Sequence, residues 1–468
     1  MSNEKSQAAL LKEKLFSNPK NGWLRVNDSE KSEIFSFCDG YVEFLGKAKT
    51  ERLFCKYAEE FVKSEGFVPF EKGKKYAPGD KVYYVNHKKS LILCVFGKKP
   101  LCEGVRIAAA HIDSPRLDLK QHPLYEDTDL AYFKTHYYGG IRKYQWPTVP
   151  LSLHGTIVRA DGEVIDVNIG EDEGDPVFVV TDLLPHLAVE QSKRTLSDGI
   201  RGEELNILVG GLPFAADGES ELVKLNVLKL LNEKYGITED DFVSAELEAV
   251  PAAKPRDVGF DRSLIGAYGH DDRVCAYPAM MAAVNCKNPE RTTVTVLTDK
   301  EETGSDGNTG LQSAYLKNFI YDIAGVEGVD GYEVIAASEG LSADVNAAFD
   351  PTFADAFEKR NASLASYGAV ITKYTGARGK GDTSDASAEF TGKIRLLMDK
   401  NNVVWQTGEL GKVDGGGGGT VAKYIANLGA DVIDLGVPVL SMHAPFEVVS
   451  KIDVYMVYRA VYVFYDEK

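Results

Sequence analysis

Apolar and polar positions along the chain alternate between two periods, and the switches between them outline its elements. From 28 to 66 the apolar residues recur at helical spacing (Ile34, Phe35 and Phe37, then Tyr41, Phe44 and Leu45), with Asn27 or Ser29 placed as a cap. KVYYVN (81–86) and SLILCVFG (90–97) read as strands of a hairpin across the polar turn 87–89. A third strand, GVRIAAAHID, starts at 104 and is stopped by Pro115. From about 117 to 257 the texture changes. Short runs such as LSLHGTIVRADG and PVFVVTDLLP alternate with turn residues, one amphipathic helix is predicted over 219–235, and PAAKP (251–255) closes the stretch. Strand–helix alternation then resumes. It predicts a helix over 271–285, a strand from 293 to 297, a helix near 309–319 and a strand over 333–338. A segment at 368–374, a helix from Ser384, the strand VPVLSM ahead of His443 and a last helix over 447–465 complete the chain.

This order predicts an α/β fold with a mainly parallel mixed sheet flanked by helices. Residues 1–116 and 258–468 would build that α/β domain, and 117–257 an inserted strand-rich domain. The length of 468 residues agrees with two domains. A net charge of −17 argues against nucleic acid or an anionic membrane as partner. No apolar run approaches the roughly 20 residues that span a bilayer. The opening MSNEKSQAALLKEKLF lacks an apolar signal core, and the six cysteines show no CxxC spacing. The cytoplasm is the expected compartment, with the thiols reduced.

The chemistry concentrates at TVTVLTDKEETGSDGNTG (293–310), where a β-branched strand delivers Asp299, Glu301 and Glu302 together. Adjacent carboxylates raise each other's pKa, and a metal ion relieves that cost by binding one and leaving the other as a base. Glu302 is thus the expected ligand and Glu301 the expected proton acceptor. In open α/β sheets ligands gather outside the carboxyl ends of the strands. The chain puts metal-competent residues at several such ends: His111 and Asp113, the Glu301–Glu302 pair, Asp344 and His443. Asp271 and Asp272 add two carboxylates at a helix start. Imidazole and carboxylate donors suit Zn²⁺, with Mn²⁺ or Co²⁺ as substitutes.

Taken in order, HIDSP (111–115), GHDDRVCAY (269–277), DKEETGSDG (299–307), SADVNAAFDP (342–351) and GVPVLSMHAPFE (436–447) resemble the signatures of the aspartyl aminopeptidase family. Its members are cytosolic or vacuolar two-zinc exopeptidases related to yeast aminopeptidase I, and the resemblance runs over nearly the whole chain. It implies one zinc held by His111 and Asp344, another by Glu302 and His443, and Asp271 bridging them. Asp113 would orient His111 through its ring N–H, and Glu301 would be the general base acting on a water shared by the metals. One metal open to a free α-amine would confine cleavage to the N-terminal residue of short peptides. The resemblance also implies large homo-oligomers, usually dodecamers.

The likeness thins in two places. PHLAVE (185–190) keeps the first histidine of a family stretch that approaches a neighbouring active site, which makes His186 a candidate substrate-binding residue. WPTVPL from Trp146 lacks the family's Asp-Arg pair. In ITKYTGARGKGDTSDAS (371–387), Lys373 matches a family lysine, and Arg378 and Lys380 add charge, so a cationic wall facing an N-terminal Asp or Glu is expected beside the option of a neutral residue. The glycine run 415–419 lacks the Gly-Lys-Ser/Thr ending of a phosphate loop and reads as a tight loop packed by the metal site. Two other readings stay open on the same residues: a metal-dependent deacylase or carboxypeptidase, and a peptide-binding oligomer without catalysis.

Overall fold

The computed structural model describes residues 5–216 and 218–468. Its framework follows from three strands whose interiors are apolar or β-branched. Ser90–Val95, Arg106–His111 and Thr293–Thr298 are buried along their whole length, as strands covered on both faces must be. All three lie in a nine-stranded sheet. Thr293–Thr298 pairs antiparallel with Ser90–Val95 and parallel with Arg106–His111, bringing Thr298 opposite His111. Glu339–Ser342 and Asp431–Gly436 extend the parallel block. The hairpin strand Lys81–Asn86 and the strand Ala369–Thr372 turn antiparallel on the two flanks. The result is the α/β class expected, a mixed sheet with a parallel centre.

Alternation across this sheet builds two cores. Ala108 and Ala110 face the layer formed by the helices Asp28–Lys47, Glu51–Ser64, His270–Asn285, Ala388–Lys400 and Lys451–Asp466. Ile107 and Ala109 face the layer of Tyr315–Glu327, Gly331–Ala336 and Ala422–Ala426. The helix Asp28–Lys47 starts at Asn27, whose side chain and that of Glu30 form a reciprocal capping box. Among the described residues no helix is long and apolar enough to cross a membrane.

Residues 116–251 supply a seven-stranded antiparallel sheet with a core of its own, which the helix Leu222–Tyr235 covers. A five-stranded sheet, not anticipated from the sequence, joins Arg256–Val258, Leu264–Ala267, Glu447–Ser450, Pro438–Leu440 and Asn346–Ala347. It leads Leu264–Ala267 into the helix that starts at His270 and holds His443 in the loop between two of its strands.

Several expected elements differ. Residues 333–338 were expected as a strand, but Gly331–Ala336 is a helix, capped by the Asp330 side chain on the Tyr332 amide. The strand leading to Asp344 is Glu339–Ser342. Six residues with two apolar positions side by side, Val334 and Ile335, fit one buried helical face as well as a strand, and the cap decides. The stretch 28–66 breaks into two helices, with Thr50 capping the second. The last stretch divides into the strand Glu447–Ser450 and the helix Lys451–Asp466. The helix expected near 309 begins at Tyr315.

Candidate metal centre

Parallel strands put their carboxyl ends on one edge, so the chemistry carried by the residues just beyond them converges. His111 closes Arg106–His111, the turn Glu301–Thr303 follows Thr298, and Asp344 lies two residues past Ser342. The chain at Gly436 passes so close to this edge that a Cβ there would stand 1.7 Å from the Asp344 carbonyl oxygen, which demands glycine. Asp271 comes from the start of His270–Asn285, in a non-helical conformation (φ −76°, ψ 107°) that turns it off the helix axis. His443, with φ 65°, reaches in from the five-stranded sheet.

These side chains meet around one carboxylate. Asp271 Oδ1 lies 3.0 Å from His111 Nε2, and its Oδ2 lies 3.0 Å from His443 Nε2. Glu302 Oε1 stands 3.5 Å from His443 Nε2. Asp344 Oδ1 and Glu301 Oε2 stand 3.8 and 3.9 Å from His111 Nε2. Two groups of donors could each grip an ion, His111 with Asp271 and Glu302, and His111 with Asp272 and Asp344, their ligand atoms within 4.8 Å of one another. Of the two acids in sequence, Asp271 is better placed to bridge, because its oxygens face different imidazoles, whereas Asp272 Oδ2 accepts the His111 amide at 3.3 Å.

The donor set fits zinc. Glu302 Oε1 and Asp344 Oδ2 are buried without a hydrogen-bond partner, acceptors that a cation would satisfy. Burial, reinforced by Asp271, holds the Glu302 carboxyl well above the usual carboxylate range, and burial with Asp272 does the same to Asp344. Burial, opposed by His111 and reinforced by Asp113, pushes Glu301 up to about 7. Burial opposes ionisation of Asp271 too, yet hydrogen bonds from His111 and His443 hold its pKa below the usual value. A dication placed among these oxygens would offset both the burial and the repulsion that raise the first three.

Both imidazoles are turned with Nε2 inward by their other nitrogen. His443 Nδ1 donates to the Gly140 carbonyl at 2.8 Å. His111 Nδ1 lies 3.1 Å from the Asp113 carbonyl oxygen and 3.3 Å from its carboxylate. An ion would take the place of the Nε2 protons that the Asp271 oxygens now accept. The Asp113 carboxylate does more than orient His111. Its Oδ1 accepts the Glu301 amide and its Oδ2 the Glu302 amide, each at 3.2 Å, so it staples the turn that presents both glutamates.

Comparison with known proteins decides what this centre belongs to. A family model described as aminopeptidase I zinc metalloprotease (M18) matches residues 44–465. A probable M18 family aminopeptidase 1 from Clostridium acetobutylicum is 50% identical over 444 residues, covering 93% of this chain and 96% of that one. The chain belongs to the M18 family. It is a zinc metallopeptidase, a hydrolase of the aminopeptidase class. The crystal structure of the M18 aminopeptidase from Thermotoga maritima superposes with a TM-score of 0.92 at 45% identity, covering 97% of this chain and all of that one. At 19% identity, the S. cerevisiae mApe1 dodecamer shares the fold, with a TM-score of 0.74 over 92% of this chain and 96% of that one.

The other residues singled out in this M18 chain are placed differently. Lys373 and Lys380 both pair with Asp385, the latter at 2.8 Å, which neutralises part of the expected cationic wall. Arg378 lines a small cavity of about 170 Å³ with Lys380, Glu409 and Lys412. The glycine run ties that loop to the centre: the Gly418 amide donates to the Thr375 carbonyl, and a Cβ at Gly419 would lie 3.7 Å from Glu301 Oε1. His186 is exposed, in a loop that also exposes Leu183, Leu184, Leu187 and Val189.

Sequence reasoning assigned no role to Glu447, whose carboxylate accepts the amides of His443 (2.7 Å) and Asp271 (3.1 Å). Its place at the end of the GVPVLSMHAPFE motif was the available signal. Nothing local marked Tyr138 or Gly140.

Proposed function

We propose that the protein is a two-zinc aminopeptidase that removes the N-terminal residue of short peptides. The observation that carries this reading is the Asp271 carboxylate, each oxygen 3.0 Å from a different imidazole. His111 and Asp344 would hold one zinc, Glu302 and His443 the other, and Asp271 would bridge them. Zinc, when bound, lowers the pKa of water and polarises a scissile carbonyl. Glu301 is the general base: it takes the proton of the attacking water and hands it to the leaving amine. Asp113 fixes Glu301 by holding its amide.

For the substrate, the Asp385 pairs of Lys373 and Lys380 leave Arg378 as the cation of that loop without an ion pair among the described residues. The pocket this supports takes a neutral N-terminal residue as readily as Asp or Glu. We further infer that 117–257 is an inserted domain, and that the enzyme works as a homo-oligomer, by analogy a dodecamer. The exposed apolar side chains around His186 support contacts of that kind. Six free thiols, five of them buried, suit a reducing cytoplasm.

The test is hydrolysis of a panel of aminoacyl chromogenic substrates by zinc-loaded protein beside Glu301→Gln. Turnover that Glu301→Gln abolishes while keeping two zinc ions supports the reading. Asp and Glu against Leu and Ala in the panel settle the pocket. Cleavage only of N-acylated or C-terminal substrates would replace it with a deacylase or carboxypeptidase.

A further inference from the structure

The metal centre has an outer wall that its own sheet does not supply. The strand Leu130–Tyr138 of the seven-stranded sheet ends against the centre and meets both halves of it with consecutive residues. The Tyr138 hydroxyl donates to Asp113 Oδ2 at 2.7 Å, the same oxygen that accepts the Glu302 amide. Gly139, at φ +73°, packs on Glu302: a Cβ there would lie 3.1 Å from its Oε2 and 3.2 Å from its Cβ. The Gly140 carbonyl receives His443 Nδ1.

Tyr138 is itself fixed by a buried cation. The Arg116 guanidinium lies 3.9 Å from the centre of the Tyr138 ring, its partner across the strand pair. Arg116 bonds Asp118 (2.8 Å) and pairs with Glu248 (3.3 Å), both on the seven-stranded sheet. It also pairs with Glu51 (3.3 Å), the first residue of a helix packed on the nine-stranded sheet. One guanidinium thus joins the two sheets and backs the ring that reaches Asp113.

We propose that Tyr138, Gly139 and Gly140 are positioning residues for the metal centre, so that the seating of the seven-stranded sheet sets the affinity for both ions. Tyr138 acts on His111 and the Glu301–Glu302 turn through Asp113. Gly139 leaves the space Glu302 occupies, and Gly140 sets the tautomer of His443. This rests on the two-zinc reading above.

The experiment is zinc binding by chelator competition on the full chain, with kcat and KM alongside, for wild type, Tyr138→Phe and Gly139→Ala. Tyr138→Phe keeps the ring over Arg116 and should fold, with the unfolding midpoint of the metal-free protein lowered only by the loss of its one hydrogen bond to Asp113. Its zinc affinity is expected to fall about tenfold, the lower end for outer partners of metal ligands. Its kcat should fall by a similar factor while KM stays within about twofold, because Glu301 is displaced and the peptide contacts are not. Gly139→Ala should lower the stoichiometry from two zinc ions to one by displacing Glu302. Zinc affinity and kcat of Tyr138→Phe within about twofold of wild type, with two ions retained by Gly139→Ala, would overturn the proposal alone. A wild type that binds no zinc would overturn the two-zinc reading and this proposal together.

Discussion

Replacing Asp113 by Asn tests how the centre is held, because the two residues share a shape and differ in charge and in which hydrogen bonds they can accept and donate. A carboxylate offers about four acceptor sites, and Asp113 fills them: the Glu301 amide on Oδ1, the Glu302 amide and the Tyr138 hydroxyl on Oδ2, and His111 Nδ1 beside Oδ1. An asparagine oxygen can take the place of Oδ2, but its NH₂ then faces the Glu301 amide, donor against donor. The loss is one hydrogen bond to a charged group plus a part-buried amide left unpaired, about 2–4 kcal/mol in all. His111 keeps its tautomer, because the Asp113 carbonyl is at least as near to Nδ1 as the carboxylate. Zinc binding should therefore weaken by only about tenfold. The displaced Glu301 should cost more, a fall in kcat of about 30- to 1000-fold for 2–4 kcal/mol. Metal content after dialysis, urea unfolding of the metal-free protein and steady-state kinetics read the three effects. An Asn variant with full kcat would refute the staple. One that loses zinc far more than it loses stability would restore the simpler view that Asp113 serves mainly His111.

Three other outcomes are expected of the same structure. Asp434 is buried, and burial, opposed by the Ser342 and Thr420 hydroxyls, raises its pKa from 3.8 to about 6. The folded state therefore binds this proton more tightly, so the contribution is full below pH 4 and is lost as pH rises through 6. The difference in unfolding free energy between wild type and Asp434→Asn should drift by about 3 kcal/mol over that window and stay flat above it. A flat difference from pH 4 to 7 would contradict this. Lys49, 3% exposed, pairs with Glu171 at 2.7 Å, so Glu171→Ala should destabilise by about 3 kcal/mol in urea unfolding. Breaking the exposed Lys229–Glu233 pair should change stability by no more than about 0.5 kcal/mol, and equal costs would refute the role of burial. Asp385→Asn frees Lys373 and Lys380, and kcat/KM for Asp and Glu substrates should rise several-fold relative to Leu. An unchanged ratio would remove that loop from the specificity pocket.

Local pattern was enough for the frame of this protein. Short strands rich in β-branched and small apolar residues, such as Thr293–Thr298 and Arg106–His111, are buried on both faces inside the sheet, and parallel strands bring the residues just beyond their carboxyl ends to one edge. His111, Glu301 and Glu302 were placed at one edge for that reason, whereas Asp344 was expected after a strand at 333–338 and in fact follows Glu339–Ser342. Where two readings fit the same few residues, as at 333–338, only packing and the Asp330 cap chose the helix. Beyond Asp113, the outer layer of the centre was decided by tertiary structure. Glu447 holds two amides 176 and 4 residues away, and Tyr138 reaches an oxygen 25 residues back. Side-chain periodicity carries information about a residue's own element, whereas these hydrogen bonds depend on how three sheets pack together. The pairing of Lys373 with Asp385 is of the same kind. Charge can be counted along a chain, but whether a cation is free to meet a substrate depends on which anion the folded loop sets beside it.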